Sequence, residues 1–283
     1  MLAAFAEAGQ ALGRADYIEA AESNADFLHR TMRRDSGRLF RTWKAGSDAK
    51  YNAYLEDYAY LADGLLALYE ATFERRWVDW ARELAELMLG HFRDTKNGGF
   101  FDTSDDHEQL IHRPKDLQDN AVPSGNAMAA SVLVRLSLLT GNGDYWQVAE
   151  QSTSTMNKFM AQYPSGFGQW LNVAKFMLSE PREIALMGNG DAIAPLLKVI
   201  RGGYRPFQVV AAGEEGSLPL LENRPQIDGK SSPFSWGRLE PATGMDCLTG
   251  TRTDGVLYEC RREGKHVDGP DLGAVSRRGL DRQ

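Results

Sequence analysis

The chain has 283 residues, 42% hydrophobic and 25% charged, a balance suited to a globular protein that buries a large core in one or two domains. Its 39 acidic side chains against 32 lysines and arginines give a formal net charge of −7, which excludes a general attraction to nucleic acid or to an anionic membrane. No run of about 18 apolar residues is present to span a bilayer, and the residues after Met1 do not form a signal-peptide pattern.

Residues 2 to 12, LAAFAEAGQAL, are helical from the outset, without a Ser, Thr, Asp or Asn ahead of them as a cap. A helix without a start signal implies a chain that begins inside an element. After Gly13 a second helix is expected from about Asp16 to Met32. The long polar loop GRLFRTWKAGSDAKYNA follows, with a short strand expected at Leu39 to Trp43. The stretch Tyr54 to Glu74 then organises the rest. At 100° per residue, Tyr54, Leu55, Tyr58, Leu61, Ala62, Leu65, Leu66, Leu68 and Tyr69 fill one broad apolar sector. Its length of roughly 30 Å is the depth of a domain. Across the turn Arg75-Arg76 comes a partner helix, Trp77 to about Phe92. In the second long loop, Asp94 to Val122, GGFFDT and EQLIHR alternate as a hairpin turned at Ser104–His107. A third pair, Ser124–Thr140 and Asp144–Met160, turns at Gly141–Gly143, and a seventh helix runs from about Ser165 to Leu178.

Each pair opens its second helix with an aromatic four residues before an alanine: Tyr17 and Ala21, Trp77 and Ala81, Tyr145 and Ala149. The alanine admits a neighbouring helix while the aromatic fills the gap one turn away. Short turns inside pairs and long loops between them describe stacked α-hairpins, as in an α/α toroid or a solenoid. From Pro181 the period changes: EIALMG and PFQVVAAG read as buried strands around the helix DAIAPLLKVIRGGY. After Lys230 no period is sustained, and an irregular tail is expected. The expected division is 1–180 for the helical pairs, 181–230 for a small α/β segment and 231–283 for the tail.

With LEDYAYLADGLLALYEAT, GGFFDT…RPKD, DNAVPSGNAMAA and IDGK in this order, the chain resembles the C-terminal portion of the thioredoxin-domain-containing proteins that include spermatogenesis-associated protein 20 and its bacterial relatives. The resemblance covers roughly residues 1 to 230. It implies a mainly α fold, part of an (α/α)6 toroid of the six-hairpin glycosidase and sugar-epimerase type, behind a thioredoxin-like domain. The chain departs from the family pattern in three ways. It lacks the thioredoxin-like domain and any Cys-x-x-Cys, Met1 falls where members are already inside a toroid helix, and Ser231-Ser232-Pro233 replaces an apolar stretch after Asp228-Gly229-Lys230.

In such a toroid the long loops and the starts of the inner helices share one face. This rim gathers Arg41, Trp43, Glu56, Asp57, Tyr58, Asp102, Arg113, Lys115, Asp119, Asn120, Ser124 and Asn126 as candidates for binding a sugar or sugar-like molecule. Carboxylates supply acid and base for glycosidic or epimerising chemistry, and aromatic faces stack on sugar rings. Asp57 and Glu56 are the catalytic candidates, Asp57 being nearer the apolar sector and so the more desolvated. The same two residues also read as ordinary first-turn acids facing the helix dipole. Ser124 reads as a helix cap rather than a nucleophile, since no G-x-S-x-G is present.

No metal or cofactor is expected. His107 and His112 lack further ligands at useful spacing, and Cys247, Cys260 and His266 are too sparse for zinc. The two cysteines give no disulfide framework and suit a reducing cytoplasm, the expected location. Two readings of function stand: a sugar hydrolase or isomerase using carboxylates, or a non-catalytic binding module normally fused to a thioredoxin-like domain, here an incomplete fragment. Seven helices cannot close a ring of twelve, so self-association is expected through Leu2, Phe5 and Leu12 at one open edge and Trp170, Phe176 and Met177 at the other.

Overall fold

The computed structural model describes residues 1–107, 112–179, 181–188, 190–214 and 216–222, together with the backbone of 237–239, 245–252 and 255–262. Three α-hairpins form first in the chain: α1 (Leu2–Leu12) with α2 (Ala15–Thr31), α3 (Leu55–Thr72) with α4 (Arg75–His91), and α5 (Gly125–Thr140) with α6 (Gly143–Thr155). The alanines of the repeated signature, Ala21, Ala81 and Ala149, are completely buried, as are Trp77 and Tyr145 beside them, while Tyr17 packs edge-on against Phe5. Helices α1, α3 and α5 lie side by side, and α8 (Gly168–Leu178) continues that inner row; α2, α4 and α6 lie outside it. The result is an arc of an α/α toroid. Its central helix, α3, is buried over most of its circumference.

Close approach between inner helices depends on two glycines. A Cβ on Gly64 would sit 2.9 Å from the Leu2 side chain, and one on Gly125 would sit 3.1 Å from the backbone nitrogen of Glu56. The first contact could relax through the leucine, whereas the second meets backbone.

The helix expected from Asp144 to Met160 is broken. α6 ends at Thr155, and a short helix α7 (Asn157–Gln162) follows Met156. Ser152 and Thr153 donate to the carbonyls of Val148 and Ala149, and Thr155 donates to that of Ser152. Such back-bonding by hydroxyls competes with the helical ladder and bends it. The strand expected near Leu39–Trp43 is β1 (Phe40–Thr42), paired antiparallel with β2 (Lys50–Asn52). In the second long loop Phe100 forms an isolated bridge with Arg93, while residues 108–111 of the expected hairpin lie outside the described residues.

Beyond the helices, β3 (Arg182–Met187), α9 (Ala194–Arg201) and β4 (Gln208–Gly213) form a parallel β-α-β unit. Ala185, Met187, Val209 and Ala211 join the core of the arc, while Ile184, Leu186 and Val210 pack on α9 through Ile193, Leu196 and Ile200. Alternation along each strand therefore serves two layers. Three further strands, β5 (Gly237–Leu239), β6 (Met245–Arg252) and β7 (Gly255–Arg262), complete a sheet of order β4-β3-β7-β6-β5. Here an irregular tail was expected; the strands arise because β7 pairs with the free edge of β3, from Arg182↔Arg261 to Met187↔Val256. The rest of 231–283 lies outside the described residues.

The side chains expected to be bare at the ends of the arc are mostly covered. Leu2 is buried on α3 and Trp170 is fully buried, its indole donating to the carbonyl of Leu117; Phe5 and Met177 are partly buried, and Phe176 meets Phe207 of the α/β layer. Leu12 remains exposed. Among the described residues no helix is long and apolar enough to cross a membrane.

Candidate functional site

The start of α3 carries the centre of the site. The Leu55 N–H, unpaired within the helix, donates to the carbonyl of Asp102, and Asp57 turns back to accept the N–H of Tyr54 at 2.8 Å. From β1, Arg41 reaches across this helix end. One of its terminal nitrogens donates to Asp57 Oδ2 at 2.8 Å and the other to Glu56 Oε1 at 2.9 Å, while its plane lies 4.2 Å from the centre of the Tyr54 ring. A single guanidinium thus holds both adjacent carboxylates. Asp57 is the less exposed, 31% against 43% for Glu56. Burial pushes the Asp57 carboxyl above the usual aspartate range, against the opposing pull of the Tyr54 N–H and Arg41.

Two cavities flank this clamp. The larger, of about 570 Å³, lies between α1, α2 and α3 and is lined by Asn24, Leu28, Phe40, Arg41, Glu56 and Asp57 among others. The smaller, of about 370 Å³, lies between the starts of α3 and α5 and the loop before α5. Arg41, Tyr54, Glu56, Asp102, Asp116 and Asn120 line it. Both volumes fall in the range of small-molecule sites. Arg41 and Glu56 face both cavities, Asp57 only the larger and Asp102 only the smaller. Asp102 is half-buried, and its carboxylate accepts the N–H of Asp116. Burial raises its pKa, and the nearby negative charges of Asp116 and Glu56 raise it further. Asp102 is accordingly a second tuned acid, and Asp116 a lining residue that the spacing alone did not single out.

The remaining candidates do other work. Tyr58 is completely buried, and its hydroxyl accepts the Leu39 N–H and an Arg38 N–H, so the ring does not reach the rim. Trp43 is exposed and stands edge-on against Phe27, outside both cavities. Arg113 donates to the carbonyls of Thr103 and His91, and Lys115 to Asp94 and the Gly98 carbonyl; both cations lie over Phe101. Asp119 accepts the N–H groups of Ser124 and Gln169 and so ties together the starts of α5 and α8. Ser124 caps α5 by accepting from Ala127 N. Asn126 is fully buried: it accepts from Phe100 N at 2.7 Å and donates to the carbonyls of Phe100 and Asp116. DNAVPSGN therefore lines the smaller cavity from Asn120 and from Val122 to Gly125, while Asp119 and Asn126 fasten the loop to the helices.

Among the described residues, His91, Asp105 and Asp106 bring possible metal-ligand atoms within 4.8 Å of one another. Asp106 is already gripped by both terminal nitrogens' side of Arg38 and by Ser104, and His91 is paired with Asp105, so these groups are committed within the protein. His107 stacks at a tilt against Tyr54.

A 252-residue stretch, 83% of the chain, is 31% identical to spermatogenesis-associated protein 20 of Rattus norvegicus and of Mus musculus, and 29% identical to that of Homo sapiens. The match covers 32% of each, so the chain spans about a third of the length of these curated relatives. Among solved structures it is similar to a D-mannose isomerase at 18% identity and a TM-score of 0.46, over 56% of this chain and 40% of that one. A cellobiose 2-epimerase from Spirochaeta thermophila shares 20% identity at a TM-score of 0.44, over 55% and 40%. No protein-family profile matches the chain.

Proposed function

We propose that this chain, a homologue of spermatogenesis-associated protein 20, binds a sugar or sugar-like small molecule in the two cavities at the start of α3. The observation that carries this reading is the Arg41 clamp, which presents Glu56 to both cavities and Asp57 beside it to the larger one. Carboxylates accept sugar hydroxyls in fixed directions, and Tyr54 lines the smaller cavity beside Glu56. Asp57, with its raised pKa, is the group suited to exchange a proton with a ligand, and Glu56 is suited to orient it. The test is titration calorimetry with neutral mono- and disaccharides, followed by product analysis. Saturable binding that Asp57→Asn weakens, with products that disappear in that variant, supports a hydrolase or isomerase. An absence of binding across the panel overturns the reading.

A second reading is favoured by the same clamp. One guanidinium engages both carboxylates and opposes the rise of the Asp57 pKa, which suits recognition better than proton donation. Binding without turnover in the assay above supports a non-catalytic module, fused in longer relatives to a further domain.

A further inference from the structure

The two cavities that meet at the clamp differ in character. Around the larger one, Leu28 and Met32 at the end of α2, Phe40 of β1 and Leu61 of α3 are half-buried side chains lining one space. Arg34 covers one face of the Phe40 ring. Four large apolar side chains left short of full burial around one space make a wall that an apolar group would cover favourably. The polar groups on this side are largely committed within the protein. Arg135 holds Asp63 at 3.1 Å, and the Tyr60 hydroxyl donates to the Pro123 carbonyl at 2.7 Å. Hydrogen-bonding capacity is therefore concentrated at one end, where Arg41, Glu56 and Asp57 stand, with Asn24 of α2 besides. The smaller cavity has the opposite balance, with Glu56, Asp102, Asp116 and Asn120 in its walls. Arg41 and Glu56 line both cavities, so the two spaces adjoin at these side chains, and a ligand with two dissimilar halves can lie across them.

We infer that the site takes a glycoside with an apolar aglycone. Its hydroxylated ring lies in the smaller cavity, its alkyl or aryl group against Leu28, Met32, Phe40 and Leu61, and its linking oxygen beside Arg41 and Glu56. This rests on the sugar-binding reading above and adds the class of sugar derivative. Sugar hydroxyls need directed acceptors and donors, which the smaller cavity supplies. An apolar aglycone gains from leaving water, in proportion to the area it covers. A second sugar ring in its place would set hydroxyls against the apolar wall, where their bonds to water are lost without replacement.

The experiment compares methyl glucoside, hexyl glucoside, maltose and hexanol by calorimetry, with the corresponding mannosides in parallel. The hexyl glycoside is expected to bind at least about tenfold more tightly than the methyl one, and with a more negative heat-capacity change. Leu28→Gln, which sets an amide in the apolar wall, should lower the hexyl-to-methyl affinity ratio. Asn24→Leu, which widens that wall from the same helix, should raise it. Asn24 is half-buried and leucine is a good helix former, so this variant remains informative should Leu28→Gln unfold. If methyl and hexyl glycosides bind equally, or maltose binds best, the apolar half is overturned while sugar binding stands. If hexanol binds as tightly as the hexyl glycosides, the ring contributes nothing and both readings fall. If none binds, they fall together.

Discussion

Asn126 spends its whole side chain on the backbone: the amide oxygen serves Phe100 N, and the amide nitrogen serves the carbonyls of Phe100 and Asp116. Truncation would leave buried polar groups without partners, so Asn126→Ala is expected to cost on the order of 2–4 kcal/mol, read from urea unfolding. Asp57 should behave in the opposite way. Its raised pKa means the fold disfavours its charge, so the penalty appears as pH rises above the unfolded value and is complete once pH has passed the folded one. Asp57→Asn is therefore expected to keep or slightly raise the melting temperature at pH 7 while weakening ligand binding; a large loss of stability would show that the carboxylate is structural. Sequence spacing placed both residues on one rim, but it could not tell a clamp from a site. Asn126 and Asp57 are both polar residues in the first turn of an inner helix, and only the position of the facing loop separates their roles.

The loop from Asp94 to Lys115 is held by charge. Lys115 draws the Asp94 carboxyl well below the usual carboxylate range, helped by Asn97 and the N–H groups of residues 96 and 97, and Arg38 does the same for Asp106. For such depressed groups the stabilisation is present above the unfolded pKa of about 3.9 and is lost as pH falls below it. The urea midpoint should thus drop between pH 7 and pH 3, and the drop should be smaller in Lys115→Met, whose Asp94 titrates more normally. A variant with an unchanged acid response would sink this account of the loop. At the level of helices, Gly125→Ala presses a methyl group against the backbone of Glu56, and about 1–3 kcal/mol of stability should be lost together with ligand affinity, measured in parallel. The long, strongly periodic helices were legible because their apolar sectors are broad, as in α3. The break after Thr155 was not, because hydroxyl back-bonding leaves the apolar period intact. The strands β5 to β7 were not legible because the pairing of β7 with β3, which joins them to the sheet, is long-range.

The β3–β4 layer was foreseen as a separate segment, yet its inward residues share one core with the helices. Ala185, Met187, Val209, Ala211 and the nearby Leu218, Leu220 and Leu221 are buried in the same cluster as α5 and α3. Arg201, at the end of α9, donates to the carbonyl of Glu70 in α3, and Phe207 meets Phe176 of α8 edge-on. Two bodies joined by a polar interface could melt independently, whereas a continuous apolar core couples their unfolding. The chain is therefore expected to unfold in one transition, with the calorimetric and van't Hoff enthalpies equal across the helical and sheet signals. Removing the layer at residue 180 should uncover Trp170's neighbours and the inward face of α5, giving a species that binds a hydrophobic dye and melts at lower temperature. The coupling matters for the site as well, because α5 and α8 position Asp119 and the loop that walls the smaller cavity. Ligand affinity in the shortened chain should fall even though none of the cavity-lining residues is deleted. A helical arc that melts independently of the sheet, with unaltered affinity once the sheet is gone, would show that the two layers are energetically separate.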